Sequence, residues 1–113
     1  MGALAGLTAV ALGAFGAHAL RSRLSPDMLT VFETGVRYHM YHALALVAAA
    51  LIMQRAPGRA VAAAGWLFTV GILLFSGSLY LLAWTGVAIL GAITPLGGVA
   101  FLLGWACLAF SAW

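Results

Sequence analysis

Three histidines and two tyrosines are the side chains that could do chemistry inside the apolar segments of this sequence. They are His18, Tyr38, His39, Tyr41 and His42. Histidine can bind a metal through a neutral ring nitrogen, hold haem or shuttle a proton near neutral pH. Helix positions three residues apart lie about 60° apart in projection, so His39 and His42 could share a ligand. We treat the five residues as a candidate metal, proton or polar cluster.

A structural role for the same residues is the favoured alternative. Histidines near helix ends often form hydrogen bonds with loop carbonyls or with neighbouring helices. The motif Ser76-Gly77-Ser78 is not a nucleophile elbow, and no phosphate loop, dinucleotide fingerprint or carboxylate pair is present. We therefore expect no enzymatic activity and no cofactor, with a metal or haem held by His18 and His42 as the open alternative.

The composition shows which kind of element must position these side chains. Hydrophobic residues make up 65% of the 113 residues and charged residues 6%, against roughly 45–50% and about 25% in soluble proteins. No Asp, Glu, Lys, Arg or His occurs from residue 60 to residue 113. A membrane-spanning helix needs about 20 apolar residues. The sequence therefore predicts an all-α integral membrane protein.

Helix start and stop signals divide the chain into one domain with four spans, which we favour over three. Ser25-Pro26-Asp27 and Thr94-Pro95 are helix starts, with Ser25 and Thr94 as the capping residues. Pro57-Gly58 is a turn. The predicted helices cover residues 2–20, 26–54, 60–84 and 95–113.

The second helix is longer than a minimal span and begins with polar residues. We expect its amphipathic first part to lie in or near the lipid headgroups, with Glu33 and Arg37 forming an ion pair one turn apart. Trp66 and Trp84 are spaced to reach two aromatic interface belts. Residues 85–94 are too short to span, so we expect a membrane-embedded connection that is helical or buried in protein.

Small and hydroxyl-bearing residues indicate close helix packing, because they let helix backbones approach each other in lipid. The residues predicted to pack are Gly13, Gly16, Ser76, Gly77, Ser78, Pro95, Gly97, Gly98 and Gly104. Cys107 is the only cysteine, and we expect a buried thiol without a disulfide partner.

The charged residues indicate topology rather than a nucleic-acid partner. Five arginines stand against two acidic residues, and they are divided between two loops without forming a basic stripe. We expect them to contact lipid headgroups, with the first loop in the cytoplasm and both termini outside. The first helix has no positive residues before it, so we expect it to be retained although Ala17-His18-Ala19 mimics a signal-peptide cleavage site.

Five motifs, taken together and in this order, point to a family. They occupy residues 13–20, 32–46, 74–80, 93–98 and 104–105. In this arrangement the sequence resembles the YgdD/YwdK-like family of small membrane proteins of unknown function, which has an apparent mitochondrial relative in animals. The resemblance implies a compact three- or four-helix protein of the bacterial inner membrane. It also implies that His18 and His42 match the family motifs, whereas glutamine often replaces His39.

Three functional hypotheses follow from these observations. The first is a non-enzymatic protein that acts through helix packing, as a homo-oligomer or as an accessory subunit of a larger membrane complex. The second is a small transporter or channel with residues 85–94 beside its pathway. The third is a metal or haem site built on His18 and His42, with His39 joining it.

Overall fold

The structure, a computed structural model, describes residues 1–112, and over this range it contains helices and their connections but no strand. Four segments are long and apolar enough to cross a membrane, which confirms the predicted all-α class with four helices. We name the helices α1 (Gly2–Leu20), α2 (Pro26–Arg55), α3 (Arg59–Thr85) and α4 (Thr94–Ser111). A short 3-10 helix, Ala88–Ala92, precedes α4.

The helix ends follow local sequence signals, with one exception. The Ser25 hydroxyl accepts a hydrogen bond from the backbone N–H of Met28 at 3.2 Å, as predicted for the start of α2. Gly86 ends α3 in the left-handed conformation with φ of 70°, which glycine adopts without strain. The prediction that Thr94 caps α4 is wrong. Ile93 is the capping residue, because the preceding 3-10 helix leads into α4 and places Thr94 inside its first turn.

The connection between α3 and α4 keeps a helical backbone but lies on the outside of the bundle. Its 3-10 helix covers Ala88–Ala92. The Val87 side chain is 49% exposed and that of Ile89 is 73% exposed. The backbone N–H and C=O groups of this segment were expected either to form helical hydrogen bonds or to be buried in protein. The structure shows local helical hydrogen bonds.

The four helices form a flat arrangement measuring 47 × 26 × 15 Å. Helices α2 and α3 contact each other at the centre, α1 packs on α2, and α4 packs on α3. The most apolar window of α3 is 39% buried, against 17% for α1. Long apolar side chains of α1, such as Leu4 and Leu7, point outward. A bilayer solvates such a surface, whereas water does not.

Two clusters of buried apolar residues occupy opposite ends of the helix interfaces. One cluster is built around Phe68, Ile72 and Phe101, between α2, α3 and α4. The other contains Leu20, Phe32 and Ala83, between the end of α1, the start of α2 and the end of α3. Most of the polar side chains described below lie between these two clusters.

Both tryptophans that were predicted to mark the interface belts lie on the surface of α3. Trp66 is 67% exposed and Trp84 is 58% exposed. They are 18 residues apart in the sequence, which corresponds to about 27 Å along a helix. Their exposure satisfies one condition for interface anchors, and their depth in a bilayer stays a prediction.

Candidate functional site

His39 lies at the meeting point of three helices. Its Nδ1 lies 2.9 Å from the Tyr80 hydroxyl of α3, and its Nε2 lies 3.3 Å from the Thr8 hydroxyl of α1. Thr8 lies in position to donate its hydrogen to the carbonyl of Ala5, at 2.9 Å. If it does so, its oxygen accepts from an Nε2–H, and Nδ1 is then the nitrogen that accepts from Tyr80. His39 is buried in this position.

His42 lies one turn further along α2 and connects it to α4. The Trp105 indole Nε1–H donates to His42 Nε2 at 3.1 Å, and His42 Nδ1–H donates to the Tyr38 carbonyl at 2.7 Å. Because an indole nitrogen can only donate, Nε2 carries no proton and the proton lies on Nδ1. The imidazole stacks on the Phe101 ring with centroids 3.4 Å apart and planes 6° apart. With Thr8 donating to the Ala5 carbonyl, His39 carries its proton on Nε2, and the two histidines are then opposite tautomers.

Two serines of α3 add further polar links between helices. The buried Ser76 hydroxyl donates to the Gly35 carbonyl of α2 at 2.7 Å. The Ser78 hydroxyl lies 2.6 Å from the Thr94 hydroxyl of α4. Ser76 ends a π-helical turn, Ile72–Ser76. Such a turn widens the helix locally and is often found at functional sites. Together with the histidines, these hydroxyls link each helix to at least one neighbour.

The structure does not bring the three histidines together, which corrects the sequence-based cluster. His18 is exposed at the end of α1, close to the point where Gly16 packs on Phe32. The residue of α1 that lies beside His39 is Thr8, which is ten positions earlier in the sequence. Within residues 1–112 no group of three or more His, Cys, Asp or Glu side chains could hold a metal ion. The His39 and His42 rings form hydrogen bonds with different helices, so this structure does not show them sharing a ligand.

The hydrogen bonding of the two buried histidines does not fit a metal or haem. All four ring nitrogens of His39 and His42 already have protein partners. A metal ligand needs a nitrogen with a free lone pair, so coordination would break one of these interhelical bonds. Among the described residues, every buried side-chain nitrogen and oxygen has a hydrogen-bond partner. The arrangement is suited to holding helices together.

Glycines and phenylalanines interlock along the α3–α4 interface, a set of contacts that we call the Phe–Gly zipper. It consists of the pairs Phe68–Gly104, Gly71–Phe101 and Phe75–Gly97. A Cβ atom added to Gly104 would lie 2.7 Å from the Phe68 ring, and one added to Gly97 would lie 2.7 Å from the Phe75 Cα. The Phe68 and Phe101 rings fill the space that a side chain would need at Gly104 and Gly71, and the backbone of Phe75 fills it at Gly97.

The predicted packing glycines are not all equivalent. An added Cβ would approach Phe32 to 2.8 Å at Gly16 and Val36 to 3.2 Å at Gly13, so both lie at the α1–α2 contact. At Gly98 the nearest atom lies at an ordinary 3.9 Å, and at Gly77 no atom lies within 4 Å. Gly77 therefore does not pack against another helix of this chain, and its predicted role in helix packing stays a prediction for contacts with another chain. Pro95 is exposed in the first turn of α4.

Gly35 and Gly71 are two of the tight glycines that lie outside the predicted set. An added Cβ would meet the Tyr80 ring at 2.9 Å at Gly35 and would overlap the Phe101 ring at Gly71. Neither glycine has a small residue four positions away, so a search for small residues one turn apart does not find them. A phenylalanine or tyrosine on the facing helix is the partner instead.

The remaining predicted residues line two recesses of the surface. Glu33 and Arg37 lie beside Gly13 and Gly16 in a shallow recess between α1 and α2. Their ion pair stays a prediction. Tyr38 and Tyr41 lie in a groove between α2 and α4, which we call the aromatic groove and describe further below.

Comparison with known proteins shows the family of this chain. A family model described as "Protein of unknown function (DUF423)" matches residues 12–98. The chain is 52% identical to the UPF0382 membrane protein YwdK of Bacillus subtilis over 113 residues, covering 99% of this chain and 92% of the relative. It is 49% identical over 111 residues to the UPF0382 membrane protein SERP0230 of Staphylococcus epidermidis, covering 98% and 90%. No solved structure matches.

These relatives confirm the resemblance found in the motifs. A further relative, the UPF0382 membrane protein of Haemophilus influenzae, is 46% identical over 109 residues, covering 96% of this chain and 86% of the relative. The names of the relatives and the four apolar helices support a multi-pass protein of the bacterial plasma membrane. The chain belongs to the DUF423 family, whose bacterial relatives are named UPF0382 membrane proteins.

Proposed function

We propose that this protein is non-enzymatic and acts by helix packing in the membrane, as a homo-oligomer or as an accessory subunit of a larger complex. The observation that carries the proposal is the complete pairing of the buried polar side chains of residues 1–112. Catalysis needs groups placed to act on a substrate. The buried histidines, serines and Tyr80 instead bond to their neighbours within the bundle.

The outer helix surface supplies places where another helix could approach. At Gly6, Gly65 and Gly77 an added Cβ would meet no atom of this chain within 4 Å. Small residues on a lipid-facing surface allow close contact between helices, and packing is a main driving force for association in lipid. We infer that these outward glycines contact a second copy or a partner subunit, with membrane lipids covering the rest of the surface.

Substitution of the outward glycines tests the proposal. Gly65→Leu and Gly77→Leu should leave the fold intact, because an added Cβ has open space at both positions. They should shift the protein to smaller assemblies, measured by native mass spectrometry from membranes and by cross-linking in intact membranes. The matched control is Leu73→Phe, a substitution on the same helix at a side chain that is 67% exposed.

A fold-disrupting comparison separates assembly from stability. Gly104→Leu should unfold the α3–α4 contact, because an added Cβ lies 2.7 Å from Phe68, and it should reduce the amount of folded protein. If Gly6→Leu, Gly65→Leu and Gly77→Leu all leave every assembly intact while folding normally, the packing proposal has lost its support.

The transport hypothesis has less support than the packing proposal. Its basis was an interrupted segment at membrane depth that exposes backbone groups to a substrate. The 3-10 helix Ala88–Ala92 lies on the outside of the bundle, and it satisfies its backbone through local helical bonds. Helices α3 and α4 also carry no charge after Arg59 with which to select an ion.

A further inference from the structure

The aromatic groove is the recess of this molecule with the clearest ligand chemistry. It lies between α2 and α4 above Phe75 of α3 and has a volume of about 650 Å³, within the range of about 300–1,000 Å³ that is typical of small-molecule sites. Tyr38, Tyr41, Phe101 and Trp105 form much of its walls. Its lining contains no Asp, Glu, Lys or Arg, which suits a neutral occupant.

The position of the groove along the helices indicates which solvent reaches it. Tyr41 lies 15 residues from Pro26 and 14 residues from Arg55, at the middle of α2. It is therefore about 21 Å or more from each end of the helix. Phe101 likewise lies near the middle of α4, Thr94–Ser111. The groove thus extends from the first turn of α4, at Pro95, to the middle of the helices. Its open side faces the lipid, so a ligand would enter from there.

Two phenol groups in the groove lack an acceptor. Tyr38 is 40% exposed and Tyr41 is 55% exposed. The hydrogen bonds formed here use the Tyr38 carbonyl, the His42 ring and the Trp105 indole, and neither phenol O–H has a protein acceptor in the described part of the chain. Hydrocarbon offers no hydrogen-bond partner. An occupant with acceptor oxygens would satisfy both groups, whereas an acyl chain would satisfy neither.

The walls of the groove are built from aromatic rings that pack on one another. The Tyr38 and Phe75 ring centroids are 4.6 Å apart, those of Phe75 and Phe101 are 5.4 Å apart, and those of Tyr38 and Tyr41 are 5.8 Å apart. Rings at these spacings are in contact with each other, and together they give the groove an aromatic lining on which another flat ring can pack. We propose that the aromatic groove binds a neutral lipid-soluble quinone. Its ring carbonyls accept hydrogen bonds from Tyr38 and Tyr41, and its tail lies in the lipid.

Fluorine NMR of the full chain tests this binding directly. The protein is labelled with fluorotryptophan in lipid nanodiscs and titrated with a decyl-tailed ubiquinone analogue. Trp105 lines the groove, whereas Trp66 and Trp84 lie outside it, so each sample contains its own controls. Of the four tryptophans of the chain, Trp66, Trp84 and Trp105 give the resonances to compare. Binding predicts a saturable shift of the Trp105 resonance and little change at Trp66 and Trp84. Equal, non-saturating shifts at Trp66, Trp84 and Trp105 indicate partitioning into lipid and overturn the proposal.

Variants of the groove sharpen the test. Tyr38→Phe with Tyr41→Phe should raise the Kd about tenfold, because two hydrogen bonds are lost while the aromatic walls remain. Leu102→Phe, in the groove lining, should block the site, and the matched control Leu103→Phe lies outside the lining and should bind normally. Saturable binding that is unchanged in the double tyrosine variant contradicts the assigned role of the phenols and overturns the proposal.

This inference is independent of the packing function, and one further measurement separates the two. Native mass spectrometry reports the assembly state of the same samples. Quinone binding with unchanged assemblies in the Gly65→Leu variant supports the groove even where the packing proposal fails. Dissociation of a dimer by Leu102→Phe, without any saturable shift at Trp105, shows that a second copy fills the groove and overturns the quinone assignment.

Discussion

The α3–α4 interface and the α1–α2 interface hold helices together by different means. Between α3 and α4 the Phe–Gly zipper brings the Phe101 ring against Gly71 and the backbone of Phe75 against Gly97. Between α1 and α2 an added Cβ would lie 2.8 Å from Val47 N at Gly2 and 2.8 Å from the Phe32 ring at Gly16, but the approach is less close at Gly13. The Thr8–His39 contact between these helices is long at 3.3 Å. The first interface depends on shape, whereas the second combines spaced glycines with a weak polar contact.

This difference follows from what lipid does to each kind of contact. Apolar surfaces gain little from leaving lipid, so contact between helices depends on dense packing and on hydrogen bonds. The α3–α4 pair gains dense packing along its length through three Phe–Gly pairs. Helix α1 buries only Ala9, Gly16 and Leu20. We therefore expect α3 and α4 to form the rigid unit, with α1 as the more readily separated helix.

Among the substitutions that test this difference, Gly97→Leu should cause the largest loss of stability. The added Cβ would lie 2.7 Å from the Phe75 Cα, and backbone cannot move aside as the end of a side chain can. We expect the free energy of unfolding to fall by about 3 kcal/mol or more, or the folded protein to be lost. Reversible unfolding in mixed detergent micelles, followed by circular dichroism, measures the change.

The neighbouring Gly98→Leu is the matched control for Gly97→Leu. At Gly98 the nearest atom to an added Cβ is Phe75 Cδ2, at 3.9 Å. This variant should lose far less stability, although the residue type and helix are the same. Equal destabilisation by both substitutions would falsify the claim that close backbone contact, rather than the general replacement of glycine, carries the α3–α4 interface.

Trp105→Phe should have an intermediate effect that is specific to the α2–α4 link. It keeps an aromatic ring beside Phe68 but removes the indole donor, leaving His42 Nε2 without a partner. We expect a loss of about 1–2 kcal/mol in the free energy of unfolding. Nitrogen NMR of the His42 ring should show a proton on Nδ1 and none on Nε2 in the unsubstituted protein. The opposite tautomer would contradict the assigned donor and acceptor.

The sequence predicts the architecture of this protein better than it predicts the polar site. Long uncharged segments and helix starts such as Ser25-Pro26 are local signals, and the structure confirms four apolar helices. The His42–Trp105 bond joins residues 63 positions apart in the chain. Its partner depends on the register of α4 against α2, which no spacing within one helix indicates.

Register also explains the errors in the histidine cluster. The candidate cluster requires the hairpin of α1 and α2 to bring His18 near His39 and His42. The observed register instead places Thr8 beside His39 and the end of α1 beside Phe32. Because α2 extends for 30 residues, its middle lies far from the loop that joins it to α1. A residue at the end of α1 therefore cannot reach the buried histidines.

Thr8→Val should have the smallest effect and tests how much the polar contact contributes to the α1–α2 interface. Valine keeps the shape of threonine but removes the hydroxyl that lies 3.3 Å from His39 Nε2. Interhelical hydrogen bonds in membranes average roughly 0.6 kcal/mol, so we expect a loss of about 0.5 kcal/mol in the same detergent assay. Tyr80→Phe, which removes the shorter 2.9 Å bond to His39, should be more destabilising. A larger loss for Thr8→Val than for Tyr80→Phe would mean that the hydrogen bond, rather than glycine packing, holds α1 on α2.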